Sequence, residues 1–545
     1  MTVSASFFGT DGIRGKTSTI IVDEEDAIAL LEDERTLTPS FMRVLGEALS
    51  HSQPALPGEG RTVVIGWDRR PDNPALVEAL TFGLRLTGST VTHIGECATP
   101  TLHHAVLAFG ARMGCMITAS HNPVTDSGIK VFDAHGYKST PAFELDVSRT
   151  LRQLAAEDRE VDNTDRLSLA QPDEVHDGWG QQAHVAWLNE RWTDFEQTFG
   201  GFETTKANGL LARPFLLDCA GGFGTNWFSA LLNEHGLPCQ EIGTFEAVLN
   251  DHRGAGDFSP TQTWTHAEAA ASPHALLQRL KPGPAGQWVA AALDGDGDRC
   301  LLIEATDNGF KVVDGDAMAA LLVAAAGPRP WSFAASIESD VALMAHVKSF
   351  HPETITIETA VGDRWLSFAL RPSGEALLHG TSMPLVLGIE DSGHVVLPAP
   401  HPVTQDAWSF VGDGAATLCA VLLSADRGRQ AEFQRGWKRR ETVAPSHRER
   451  WHEHAEVFSN VSSMVVKRLN DLGLDSTIRR VEGEANLLLI HAEGAEGVAS
   501  FGVRNSGTQA KTNLSLRLSP NMKSDSFEDV LHEVKAVLDD VLTKD

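Results

Sequence analysis

Apolar residues along this chain alternate between short continuous runs and stretches at helical spacing, and the alternation restarts several times. Arg61–Gly66 is a short β-branched run and predicts a strand. Pro74–Leu86 has helical spacing and ends at Thr87-Gly88, a stop signal. Thr90–Ile94 reads as a strand, Thr101–Phe109 as a helix closed by Gly110, and Met113–Ile117 as another strand. Strand–helix–strand alternation at this spacing implies βαβ units and a mostly parallel sheet. Pro214–Cys219 starts again with a strand, a glycine-rich turn and a helix through Leu232, and Trp288–Leu293 is a further buried strand. Ser332–Ile337 opens a third block, with a helix over Val341–Phe350 and a strand over Thr354–Glu358. The tail Phe527–Leu542 predicts a docked helix. The polar stretch Ala155–Gly180 reads as an extended connection or insertion, and Arg427–Arg450 as helices between domains. The pattern predicts three α/β units with mixed, mostly parallel sheets, then a different last unit.

Length and charge narrow the function. The chain has 545 residues, enough for about three to five domains. Lys+Arg is 45 and Asp+Glu is 73, for a net charge of −28. That field repels phosphate backbones, so neither nucleic acid nor an anionic membrane is expected as a partner. A local cluster of Arg and Lys can still hold a small anion. The 6 cysteines form no CxxC pair and suggest neither a zinc site nor a disulfide framework. The start, MTVSASFFGTDGIRG, lacks the basic stretch and apolar run of a signal peptide, and the longest apolar run, near Ala317–Ala326, is about half a bilayer span. A soluble, cytoplasmic protein is expected.

Several segments carry chemistry. Asp294-Gly295-Asp296-Gly297-Asp298-Arg299 follows a strand and can turn three carboxylates toward one point, the oxygen shell that Mg²⁺ or Ca²⁺ wants. An EF-hand needs Gly and Glu where Arg299 and Ala305 stand. The rival is a solvated acidic turn, but three carboxylates this close repel one another without a cation. Thr118-Ala119-Ser120-His121-Asn122-Pro123 also follows a strand, where ligands bind in α/β sheets. His121 could assist proton transfer there, or the segment is an ordinary turn or helix N-cap. Arg504-Asn505-Ser506-Gly507-Thr508 suits a phosphate cradle or a solvated hairpin turn. Gly388-Ile389-Glu390-Asp391-Ser392-Gly393-His394 could bind a polyol or simply turn the chain. Gly9–Lys16 misses a Walker A loop by one residue, and Gly222-x-Gly224 meets Trp227 where a dinucleotide fingerprint needs glycine. His447, His452 and His454 read as a solvated helix face rather than a metal site.

TASHNP, DGDGDR, GIEDSGH and RNSGT, in that order, together resemble the α-D-phosphohexomutase superfamily of phosphoglucomutases, phosphomannomutases and phosphoglucosamine mutases. FGTDGIRGK, Val313–Asp316, Val361–Trp365 and Gly412-Asp413-Gly414 look most like the bacterial phosphoglucosamine mutases. Gln509-Ala510, Ile389 and the extra sequence around Asp23–Pro39 and Ala155–Gly180 depart from the pattern and bear on the sugar, not on the reaction class. The resemblance implies four domains around a central cleft: 1–205 for a phosphoserine, 206–312 for a metal, 313–440 for the sugar, and 441–545, an α+β unit, for phosphate. It implies that Ser120 is the phosphoserine and that Asp294, Asp296 and Asp298 hold one Mg²⁺, with Ser120 phosphate as a further ligand. Arg14, His121 and Lys130 are implied in proton transfer and charge stabilisation, with Lys130 ten positions after Ser120. Arg299 would support the metal loop or contact the transferring phosphate. Glu390 and Ser392 would hold sugar hydroxyls with His394 nearby, and Arg504, Ser506, Gly507 and Thr508 would clamp the other phosphate. The expected reaction interconverts hexose 6- and 1-phosphates through a hexose 1,6-bisphosphate, with glucosamine phosphate the first choice of sugar. Glucose and mannose phosphates are the alternatives, and a metal-dependent sugar phosphatase or a sugar-phosphate sensor the more distant ones. The enzyme is expected as a monomer or homodimer.

Overall fold

The computed structural model describes residues 6–52, 60–157, 167–200, 210–244, 246–371, 375–429, 431–506 and 510–544. They form four sheets. In the first, seven strands lie in the order Thr36–Leu37, Ile13–Thr17, Asp126–Phe132, Met113–Ile117, Thr62–Trp67, Thr90–Glu96, Glu174–Val175. The second and third have six strands each, and the fourth has five, all antiparallel, backed by the helices Glu456–Asp471 and Asp525–Leu542. The expected α/β class with a distinct last unit is what the chain adopts.

The first three sheets repeat one device. A buried strand runs parallel to one neighbour, then turns back into an antiparallel partner. Met113–Ile117 lies parallel to Thr62–Trp67 and antiparallel to Asp126–Phe132. Trp288–Leu293 lies parallel to Leu211–Asp218 and antiparallel to Cys300–Thr306. Val386–Ile389 lies parallel to Ser332–Ser336 and antiparallel to Val395–Pro400. These leading strands are buried at every position, so they read as unbroken apolar runs. The turn after each carries one motif: Ser120, the Asp294–Asp298 triad, and Glu390 respectively. RNSGT starts in a hairpin of the fourth sheet, between Gly497–Asn505 and Thr512–Leu518.

Two expectations change. Arg427–Arg450 does not form helices between domains: Gly414–Gly428 is helical, but Trp437–Val443 is an edge strand of the fourth sheet, with only a short 3₁₀ turn at Arg448–Arg450. Its Lys438 and Arg440 face carboxylates of the third unit rather than solvent, which explains the charge density of a segment that reads as a solvated helix. The stretch Ala155–Gly180 gives way at Trp179 to a long helix, Trp179–Phe199. That helix buries Leu188, Trp192, Phe195 and Phe199 against the helices Gly315–Ala326 and Gly414–Gly428, in a core shared by the second and third units, while its Trp187 packs with Ala399 and Val411. Buried His184 and Arg191 interrupt its apolar face and hide the pattern; both reach Asp413, at 3.4 and 2.7 Å. Among the described residues, no helix is long and apolar enough to cross a membrane.

The tail helix follows its spacing: Phe527, Val530, Leu531, Val534, Leu538 and Leu542 are buried. Gly393, at φ +90°, closes the gap between the second and third units. A Cβ there would lie 2.2 Å from the Cys300 carbonyl oxygen, and Cys300 N–H donates to the Gly393 carbonyl at 3.0 Å. Only glycine tolerates both the conformation and the approach.

Candidate active site

Ser120 sits just past the end of its strand, 1% exposed, with φ at 54°. A non-glycine residue in the left-handed region costs energy and persists only when its surroundings enforce it. Here they do. Ser120 N–H donates to Thr118 Oγ1 at 2.8 Å, and Thr118 Oγ1 donates to Asp68 at 2.6 Å. Arg70 donates to the carbonyls of Ser120 (2.8 Å), Asn122 (3.0 Å) and Asp126 (2.6 Å), and also to that of Pro123. Asn250, from the second unit, donates to the carbonyls of Ser120 at 2.7 Å and Asn122 at 3.0 Å. Sequence reading missed Asp68, Arg70 and Asn250. The first two had a signal, an Asp-Arg-Arg run directly after the strand Thr62–Trp67; Asn250 had none.

Asp294, Asp296 and Asp298 are buried, and their ligand oxygens lie within 4.8 Å of one another. Ser120 Oγ donates to Asp294 Oδ2 at 3.0 Å, although 174 positions separate them. Thr99 fixes the loop, donating through Oγ1 to Asp296 Oδ2 (2.6 Å) and through its N–H to the Asp296 carbonyl (2.8 Å). Lys130 Nζ lies 2.6 Å from Asp296 Oδ2, 2.8 Å from Asp298 Oδ2 and 3.1 Å from Asp11 Oδ2. Burial and the charges of Asp298 and Asp296 push the Asp294 carboxyl well above its usual range. Asp296 Oδ1 is buried without a hydrogen-bond partner. A set of hard oxygen donors, mutually repelling and with Asp296 Oδ1 unsatisfied, fits a hard divalent cation.

The other expected reaction residues gather here. Arg14 donates to the Ala119 carbonyl and to Asp11 Oδ2, each at 3.3 Å. It sits opposite Gly128, two positions from Lys130, because its strand pairs with Asp126–Phe132. His121 Nδ1 is 3.5 Å from Ser120 Oγ and accepts from Arg299 Nη1 at 3.3 Å. Burial, then Arg299 and Arg14, hold the imidazole well below its ordinary pKa and hence neutral. Arg299 N–H donates to Asp294 Oδ1 at 3.1 Å.

Further out, the third unit contributes. Glu390 Oε1 accepts from Gly362 N–H at 2.6 Å, and Ser392 Oγ lies 3.4 Å from Glu390 Oε2. His394 turns to the metal loop instead: Nδ1 is 3.5 Å from Asp298 Oδ1 and Nε2 is 3.2 Å from Asp363 Oδ2. Asp363 also pairs with Lys138 at 2.6 Å, which pairs with Asp11 at 2.5 Å. The sequence reading gave Asp363 and Lys138 no site role, although Asp363 stands in its Val361–Trp365 segment. Arg504 donates to Glu484 at 3.3 Å and Glu338 at 3.5 Å, and Glu390 acts on it electrostatically. Ser506 is buried at the end of the same strand, its carbonyl accepting from Arg448 at 2.6 Å. Gly507 and Thr508 lie outside the described residues.

Residues 5–158 match the family model for phosphoglucomutase/phosphomannomutase, alpha/beta/alpha domain I. The chain is 30% identical over 435 residues to a phosphoglucosamine mutase of Frankia casuarinae, covering 78% of each protein. Among solved structures it resembles a phosphoglucomutase/phosphomannomutase family protein from Burkholderia thailandensis, with TM-score 0.59, 16% identity and 98% of each chain covered. It also resembles an Aspergillus fumigatus N-acetylphosphoglucosamine mutase in complex with GlcNAc-6P and magnesium, with TM-score 0.51, 14% identity and 81% of this chain and 94% of that one covered. Four units with these motifs at their turns define a hexose-phosphate mutase, an isomerase. The chain belongs to the α-D-phosphohexomutase superfamily.

Proposed function

We propose that this enzyme interconverts glucosamine 6-phosphate and glucosamine 1-phosphate, with Ser120 as the phosphoryl carrier. The observation that carries the reading is the 3.0 Å approach of Ser120 Oγ to Asp294 inside the buried carboxylate triad. Glucosamine is preferred because the chain is similar over more than three quarters of its length to phosphoglucosamine mutases.

Phosphoserine 120 gives its phosphoryl group to the free hydroxyl of the sugar monophosphate, and Ser120 Oγ is the leaving oxygen. The product is glucosamine 1,6-bisphosphate, which turns over in the cleft. Its other phosphoryl group then passes back to Ser120 Oγ, leaving the isomeric monophosphate. Asp294, Asp296 and Asp298 would hold Mg²⁺, which supplies positive charge against the phosphoryl oxygens. Lys130 and Arg14 stabilise charge on the same face, and neutral His121 can accept the proton of the attacking hydroxyl. Glu390 and Ser392 hold sugar hydroxyls, and His394 steadies Asp298. Arg504 and Ser506 take the phosphate that is not being transferred.

A panel of hexose 1- and 6-phosphates, with Mg²⁺ and a trace of the bisphosphate, tests the reading. Glucosamine phosphate should be turned over with the highest kcat/KM. Preference for glucose or mannose phosphate would reassign the sugar, and release of free phosphate without isomerisation would make the enzyme a phosphatase.

A further inference from the structure

Glu390, Asp391 and Ser392 are consecutive in one tight turn between the strands Val386–Ile389 and Val395–Pro400. Gly393 N–H donates to the Glu390 carbonyl at 3.1 Å, and Glu390 N–H to the His394 carbonyl at 2.9 Å. Glu390 and Ser392 lie together, with Ser392 Oγ 3.4 Å from Glu390 Oε2. Asp391, between them and 1% exposed, reaches instead into the seam with the fourth unit. Lys438 Nζ donates to Asp391 Oδ2 at 2.6 Å, and Arg440 Nη2 to the same oxygen at 2.7 Å. Lys438 and Arg440 are two positions apart on the strand Trp437–Val443 and share one face of it. Burial pushes the Asp391 carboxyl up, but Arg440 and Lys438 outweigh it and hold the group at about 2.

The docking of that strand does not depend on Asp391. Arg435 pairs with Asp314 at 2.5 Å, and Gly436 N–H donates to Asp340 Oδ2 at 2.9 Å. Lys438 also holds Asp316 at 2.8 Å, and Arg440 also holds Glu338 at 3.3 Å. Asp391 adds a bond that starts inside the sugar loop. Its carbonyl accepts from Gly315 N–H at 3.1 Å, so main chain and side chain are both held. Trp437–Val443 is laddered to Thr512–Leu518, and that strand to Gly497–Asn505. One carboxylate thus joins the turn that carries Glu390 and Ser392 to the sheet of the fourth unit.

We propose that Asp391 is a positioning residue for sugar specificity: through Arg440 and Lys438 it sets the pose of Glu390 and Ser392 from the position of the fourth unit. This deepens the mutase reading and rests on it. Hexose epimers differ only in the direction of one hydroxyl, so a site tells them apart by how well its polar groups are placed to receive that hydroxyl. A carboxylate held by two cations fixes the peptide units on either side of it, and those units belong to Glu390 and Ser392. A seam that served only to hold the units together would give the same stability from Asp314, Asp316 and Asp340, with no carboxylate in the sugar loop.

The test uses the full chain and three variants: Asp391→Asn, Arg440→Gln and, as a control in the same seam but outside the sugar loop, Asp340→Asn. Each is assayed for kcat/KM on the 6-phosphates of glucosamine, glucose, mannose and galactose, with melting temperature alongside. All four substrates carry the same phosphate, so their spread reports the sugar contacts alone. The spread should narrow roughly ten-fold in Asp391→Asn and in Arg440→Gln, although Arg440 belongs to the other unit. Asp340→Asn should melt lower and keep the wild-type spread. If Asp391→Asn fails to fold, Arg440→Gln against Asp340→Asn decides alone. A spread that narrows in none of the variants, in all three, or in Asp391→Asn only would overturn the proposal, as would a wild type that uses the four sugars equally. If the wild-type chain turned over no hexose phosphate, the mutase reading itself would fall. Calorimetric titration with the same four compounds would then still decide Asp391: affinities that converge in Asp391→Asn and Arg440→Gln support the coupling, and affinities spread as in the wild type reject it.

Discussion

Lys130 Nζ lies 2.6 Å from Asp296 Oδ2, so the carboxylate triad carries an internal cation of its own. Burial opposes that charge, yet Asp11, Asp296 and Asp298 hold the ammonium well above its ordinary pKa. Removing one partner of such a cluster leaves uncompensated buried charge, at a cost of about 3–5 kcal/mol. Lys130→Met should therefore melt several degrees lower in chelator-treated protein. Added Mg²⁺ should recover more of the loss in the variant than it adds to the wild type. Equal shifts in both would mean that Lys130 and the metal do not share these carboxylates.

Arg70 acts on the Ser120 loop without a part in the chemistry, through four carbonyls. Arg70→Lys keeps a charge but cannot reproduce the fork. It should lower kcat by about 10²-fold, the scale of a misplaced reactive group, while KM for the sugar phosphate moves little. Wild-type kcat in this variant would show that the left-handed turn at Ser120 holds without Arg70.

Gly393→Ala tests the seam between the second and third units. The new methyl would lie 2.2 Å from the Cys300 carbonyl oxygen, at a backbone φ of +90°. The cost should be about 1–3 kcal/mol or more, read as a lowered denaturation midpoint. A midpoint within error of the wild type would mean that the seam gives way freely.

Acid should weaken the fold in a defined window. Burial depresses His93 and His103 from 6.5 to about 4. His93 meets Thr81 Oγ1 at 2.8 Å, and His103 is held by the Gly136 carbonyl at 2.6 Å and Ser409 at 3.0 Å. Both imidazoles are depressed, so the unfolded chain binds their protons first. The stability they allow is full above about pH 6.5, falls as pH drops toward 4, and levels off below that. Each contributes at most about 3 kcal/mol of that loss. His103→Gln should flatten the decline between pH 6.5 and 4. An unchanged slope would remove His103 from the account.

The sequence exposed the fold where burial is two-sided. Met113–Ile117 and Trp288–Leu293 are continuous apolar runs because both of their faces are covered. Their following turns were legible because Ser120 and the alternating Asp residues stand beside them. Trp179–Phe199 stayed hidden because His184 and Arg191 break the apolar stripe and find their partners far away in the chain, Asp413 for both and Thr101 for His184. Trp437–Val443 was misread because its Lys and Arg look solvated until the acidic face of the third unit is set against them. Asn250 and Asp363 reach the site only through packing between units, which no local spacing records.

The central claim is that Ser120 carries the phosphoryl group. The most direct measurement incubates the enzyme with glucosamine 1,6-bisphosphate labelled in phosphorus and maps the label by peptide mass spectrometry. Label should appear on the Ser120 peptide, leave it on addition of unlabelled glucosamine 6-phosphate, and be absent from Ser120→Ala, which should also lose nearly all turnover. Label on another residue, or full activity in Ser120→Ala, would contradict the mechanism.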